Sequence, residues 1–183
     1  AMPVISDDGL QYNFKLREGV KFSHGRTVNA TDLKYSVQRL ASVRSKRSTL
    51  IEPILGAAEA IEAARSKSED APEIQGIEVL GDLQLRITLK KPYAPFIYHL
   101  AMVNTAVVPR ELVEEHGHSF SRLPTGTGAF ILDQWKEGTS LHLRANPDYF
   151  EGAPKISRIH YRVIPCPLTT SAPAHPHLSW PVA

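Results

Sequence analysis

Cysteine is nearly absent from the 183 residues: Cys166 stands alone, so no intrachain disulfide can form and a disulfide scaffold is excluded. Charge of one sign is lacking too. The 21 basic and 19 acidic residues leave a formal charge of +2, too even for the concentrated basic field of a nucleic-acid binder. Cations are scattered, and their densest cluster, Arg44, Lys46 and Arg47, reads as a solvated loop after a helix. No hydrophobic run is long enough to span a membrane. The most apolar window, Tyr93 to Pro109, is broken by Pro95, His99 and Asn104 and falls short of the ~20 residues a spanning helix needs. No basic segment followed by an apolar stretch opens the chain, so no signal peptide is visible in it.

Catalytic and cofactor signatures are missing as well. Gly126-Thr127-Gly128 is followed by Ala129-Phe130. It therefore lacks the Gly-Lys-Ser/Thr ending of a phosphate loop and the third glycine of a dinucleotide fingerprint. Its glycines read as a place where backbone approaches a neighbour closely. His116-Gly117-His118 straddles a predicted helix end, and His175-Pro176-His177 lies in an atypical tail. Neither has the Cys or carboxylate partners of a metal shell. No Gly-x-Ser-x-Gly elbow is present, and Cys166 lacks the surroundings of a catalytic thiol. No enzyme, no cofactor and no metal is the resulting expectation.

What is present is a series of short strands and helices. Leu10 to Arg17 alternates without a miss, placing Leu10, Tyr12, Phe14 and Leu16 on a buried face. Val20 to Phe22 is a second extended piece. Asn29 caps a helix carrying Asp32 in its first turn and Leu33, Val37 and Leu40 on one side. A second helix is expected from Leu50 to Arg65, with Pro53 in its first turn and an alanine-rich second half. A hairpin follows: Ile77 and Val79, a turn at Gly81-Asp82, then Leu83, Leu85, Ile87 and Leu89. Short helices are expected at Phe96 to Met102 and Arg110 to His116, with Pro109 as first position and Gly117 as stop. After the loop Ser119 to Gly128, strands are expected around Phe130 and Leu132, Leu141 and Leu143, and Ile159 to Val163. This is a mixed α/β (α+β) unit rather than an unbroken βαβ series.

The ordered motifs resemble the peptide and nickel class of ABC-transporter solute-binding proteins, family 5. They are SDDGLQYNFKLREGVKFSHG (Ser6 to Gly25), NATDLKYSVQRL (Asn29 to Leu40), the strand and KPYAPF exit from Leu83 to Phe96, and Gly126-Thr127-Gly128-Ala129-Phe130. Trp135, Gly138, Leu141, Leu143, Arg144 to Phe150 and the strand Ile159 to Pro165 follow in order. The resemblance implies part of a two-lobed, type II periplasmic-binding fold with an extra domain on the first lobe. Residues 1–104 would belong to the extra domain, 105–165 to the first lobe, and 166–183 to a tail outside the family. It also implies an extracytoplasmic receptor delivering a peptide or similar small solute to the membrane subunits of an ABC importer. The receptor would be periplasmic or held at the cell surface by a lipid, with no nucleic-acid partner. A structural or partner-binding module without a solute site is the alternative.

Two departures bear on ligand choice. Thr105 stands where some metal-chelate binders carry arginine, which weakens a nickel role, and Ala129 replaces the usual tyrosine or proline after Gly-Thr-Gly. Asn104, Thr105, Thr125, Gly126 and Thr127, with Gly128 closing the loop, are the expected cleft positions, because polar groups interrupt apolar sequence at the inferred domain junction. The tail from Cys166 to Ala183 has four prolines and no charged residue, so no helix could persist in it. It reads as an out-of-frame or foreign extension.

Overall fold

A computed structural model describes residues 2–42, 47–66 and 73–164. Arg44, Lys46, the second histidine pair, Cys166 and the rest of the expected tail lie outside these residues.

Two antiparallel sheets carry the architecture. In the first, β1 (Val4–Ile5), β2 (Gln11–Lys15), β3 (Ile77–Gly81) and β4 (Gln84–Thr88) run in the order β1-β2-β4-β3. Tyr12 opposes Ile87 and Phe14 opposes Leu85, so the alternation read in both segments meets across one pair of strands. Helix α1 (Ala30–Ser42) packs on this sheet, and α2 (Ala57–Arg65) packs against α1. Tyr12, Val37, Ile54, Ile61, Leu85, Ile87 and Phe96 meet in one buried cluster, with Phe14 and Leu16 packed at its margin. Phe96 opens α3 (Phe96–Leu100) and sets its ring edge-on against Tyr12, centroids 5.2 Å apart.

The start of α1 agrees with its sequence signal in atomic detail. The Asp32 N–H donates to Asn29 Oδ1, and the Asn29 N–H donates to Asp32 Oδ2, both at 3.0 Å. This reciprocal pair satisfies donors that the first helical turn leaves open.

The second helix is shorter than expected. Ser48–Leu50 form a 3-10 turn, Ile54 bridges Leu89, and α2 begins only at Ala57. The reason is Gly56, which takes φ +80° with its Cα against Gln75: an added Cβ would sit 2.9 Å from the Gln75 nitrogen. Residues 51–56 are thereby drawn to the sheet, where the Leu55 N–H donates to Thr88 O and the Lys90 N–H to Pro53 O. Val79 departs from its expected face: it is 40% exposed, because β3 is an edge strand and shifts register between Val79 and Gly81. Pro109 stands just outside its helix, extended at ψ 121°, with its carbonyl accepting from Val113.

A 3-10 turn (Val103–Thr105), α4 (Arg110–His116) and another 3-10 turn (Gly117–Arg122) lead to the second sheet. The last of these occupies the first part of the expected loop. Strands β5 (Phe130–Lys136), β6 (Ser140–Ala145) and β7 (Arg158–Arg162) pair in sequence order. Among the described residues none of their apolar side chains is fully buried, and Trp135 and Tyr161 are large and exposed.

Candidate functional site

The expected cleft residues fall on two segments anchored to the first half of the chain. Segment 103–108 lies against α1. The Val108 N–H donates to Ser36 Oγ at 2.9 Å, and the Ser36 hydroxyl, itself buried, lies 2.7 Å from Asp32 O. Asn104 is exposed, flanked by exposed Met102 and Val103. Thr105 beside it is 5% exposed. Its Oγ1 sits 2.7 Å from Met102 O and 2.9 Å from Leu100 O, closing the carbonyl end of α3. Thr105 therefore holds the backbone that presents Asn104.

The second segment is Thr125 to Gly128. The Ser23 N–H donates to Gly126 O at 2.9 Å, tying the loop to the turn after Phe22. From the other side Asn146, 3% exposed, fastens it: Nδ2 donates to Gly128 O at 3.0 Å and the backbone N–H to Ala129 O at 2.9 Å. Asn146 Oδ1 also accepts from the Asp148 N–H at 3.1 Å. The amide nitrogen thus holds the loop, while the amide oxygen closes the turn that follows. In sequence Asn146-Pro147-Asp148 is ordinary turn chemistry; a buried asparagine is recognisable only once its partners are placed.

The two glycines are not explained by crowding. A Cβ on Gly126 would meet nothing within 4 Å, and one on Gly128 only Phe130 O at 3.8 Å. Neither has a left-handed φ. The approach of neighbouring backbone therefore does not come from the side where a Cβ would sit, and on that side the two glycines border open space. Thr125, half-buried, has its hydroxyl 3.3 Å from Leu123 O.

Asn146→Ala is expected to destabilise the chain by about 1 kcal/mol, because it removes the amide that holds the Gly128 carbonyl and the acceptor of the Asp148 N–H. Thermal unfolding measures the loss. An unchanged midpoint would show that the loop does not depend on this residue.

An ionic cluster around Arg26 also reaches across the inferred junction to Glu111. Arg26 donates Nη1 and Nη2 to the two carboxylate oxygens of Asp32 at 2.9 and 2.7 Å, and Nη2 to Glu111 Oε2 at 3.0 Å. His24 Nε2 lies 3.3 Å from Glu111, and the guanidinium covers the Phe22 ring at 5.0 Å. Hydrogen bonding from Arg26 holds the Glu111 carboxyl below its usual range, and Asp32 raises the arginine further, so it stays charged at all ordinary pH. Cavities of about 440 and 430 Å³ lie elsewhere, one lined by Lys90, Tyr93 and His99 and the other by Lys34, Tyr35 and Arg110. His116 ends α4, and among the described residues no three His, Cys, Asp or Glu side chains converge to hold a metal ion.

Arrangement and motif order together find their match in known proteins. The pattern described as bacterial extracellular solute-binding proteins, family 5 (middle), matches residues 2–174. The chain belongs to this family. The match runs past residue 165, into the stretch expected to lie outside it. The chain is 31% identical over 166 residues to di/tripeptide-binding protein 2 of Pseudomonas aeruginosa, covering 85% of this chain and 30% of that protein. It is 31% identical to the glutathione-binding protein GsiB of Escherichia coli K12, covering 87% and 28%. Among solved structures, Listeria monocytogenes OppA bound to peptide superposes with TM-score 0.79 at 27% identity, over 90% of this chain and 33% of that one. The chain thus spans about a third or less of the length of the relatives it matches. The mixed α/β fold is that of this periplasmic-binding-protein-like family, whose members are binding proteins of the cell exterior.

Proposed function

We propose that this chain is the middle part of an extracytoplasmic receptor that binds a short peptide and delivers it to the membrane subunits of an ABC importer. The observation that carries the reading is the Gly-Thr-Gly loop, fastened on two sides by Ser23 and Asn146 and bordered by open space. A backbone strip pinned at Gly126 and Gly128, whose glycines have open space where a side chain would sit, suits the edge of a ligand cleft. Relatives named for di/tripeptides and for glutathione, itself a small peptide, support that solute class. In this reading residues 1–104 form the later part of the extra domain and 105–165 part of the first lobe. Asn104, Thr125, Gly126 and Thr127 face the solute, and Thr105 anchors Asn104.

Burying most of a peptide takes two walls, and this chain offers one. Calorimetry on the chain alone is therefore expected to detect no micromolar binding of di- to pentapeptides or glutathione. A complete relative carrying this segment in place of its own should bind and gain thermal stability with its solute. In that protein Asn104→Ala and Thr127→Ala should each weaken binding about tenfold, a loss near 1.4 kcal/mol. Unchanged affinity in both variants would remove these residues from the cleft, and absence of any peptide binding by the complete protein would sink the receptor reading.

A further inference from the structure

Arginines elsewhere in the described chain are mostly neutralised. Arg17 meets Glu151, Arg26 meets Asp32 and Glu111, Arg65 meets Glu62, Arg86 meets Glu78, Arg110 meets Glu114 and Arg122 meets Glu137. The second sheet breaks this pattern. Its register sets Arg144 opposite Arg158, His142 opposite His160, and Ser140 opposite both Lys136 and Arg162. Alternation puts all six basic residues on one face, and the apolar Leu141, Leu143, Ile159 and Tyr161 on the other. The two histidine rings stack with centroids 4.4 Å apart, and Arg144, Arg158 and Arg162 are exposed without an acidic partner among the described residues. The acids next to the face do not neutralise it: Glu137 is taken by Arg122, and Asp133 sits in the bulge of β5 without an ion pair to these cations.

Like charges directly opposite one another on a sheet are destabilising. A folded chain that pairs most of its other described arginines and gathers three without carboxylates on this one face has a surface whose cations await carboxylates. We propose that the basic face of β6 and β7 docks an extended acidic segment of a partner protein. The spacing fits: along β7, Arg158, His160 and Arg162 recur every second residue, ~6.8 Å apart, the repeat of alternating side chains in another extended chain. The guanidinium fork donates two parallel hydrogen bonds to a carboxylate. Residues 165–183 contain no Asp or Glu, so this part of the chain cannot be the occupant.

The test titrates the isotope-labelled 183-residue chain with a synthetic peptide alternating glutamate and serine, reading amide shifts. Expected are shifts concentrated on β6 and β7, with affinity falling about tenfold when salt is raised from about 50 to about 200 mM. R144Q/R158Q/R162Q should abolish the shifts, whereas R65Q should leave them intact. If the triple variant fails to fold, R158Q alone should weaken binding at least threefold. No binding at low salt, shifts spread over other elements, or affinity undiminished in the variants would each overturn the proposal. So would binding to phosphatidylglycerol vesicles without binding to the peptide, which would make the face a lipid surface.

Discussion

Gly76→Ala is expected to lower the unfolding free energy by about 3 kcal/mol, as overpacking at a site with no room to relax. The added methyl would lie 2.5 Å from Thr88 O, 2.8 Å from Ile54 Cγ2 and 2.9 Å from the Leu55 nitrogen. Two of these atoms belong to backbone that cannot swing aside. The Gly76 N–H donates to Leu55 O and its carbonyl accepts from Thr88, both at 2.8 Å, so the glycine is the knot joining residues 54–55 to β4. Urea unfolding of the variant measures the change. A loss below about 1 kcal/mol would mean that the 51–56 turn shifts freely and does not need this contact.

Arg26→Met should have an effect of similar size, about 3 kcal/mol, by removing the counter-ion of a carboxylate that is only 5% exposed. The Asp32 side is responsible for most of it. Glu111, nearly half exposed, contributes little because water screens it. Arg26→Lys should recover only part of the loss, since an ammonium cannot make the two parallel bonds to Asp32. Adding Asp32→Asn to Arg26→Met should restore some stability by removing the stranded charge. If the double variant is as unstable as the sum of both single changes, the two groups are not coupled. The pH response has a defined sign. The carboxyl of Glu111 is depressed in the folded chain, so its small contribution is present above its unfolded value of about 4.3 and is lost as pH falls through the lower folded value. Arg26→Met should remove this part of the acid sensitivity.

Period-two alternation was enough to read β2 and β4, because each has one face toward the buried cluster and one away from it, and the same alternation marks β5 and β6 although their apolar side chains are only partly covered. The capping pair Asn29 and Asp32 was legible for the same local reason: both partners lie within one turn. The order of motifs sufficed to place the chain in its family. The start of α2 was not legible. Alanine content favours helix throughout that stretch, and only the approach of Gln75 to Gly56 and the bridge from Ile54 to Leu89 draw residues 51–56 out of it.

The candidate site divides in the same way. Polar interruptions at Asn104 and Thr125 to Gly128 were visible in the chain order. That Thr105 turns inward to cap α3, and that Asn146 holds the glycine loop, depended on contacts three to eighteen residues away. The unpaired arginines are plainer still as a tertiary result. In sequence they are isolated cations, each next to an apolar residue. Only the register of β6 against β7 sets Arg144 opposite Arg158 and His142 opposite His160. Short-range periodicity is set by the alternating geometry of one strand, so sequence alone determines it. The choice of which strand faces which is made by long-range packing, and that the three-dimensional structure alone decided.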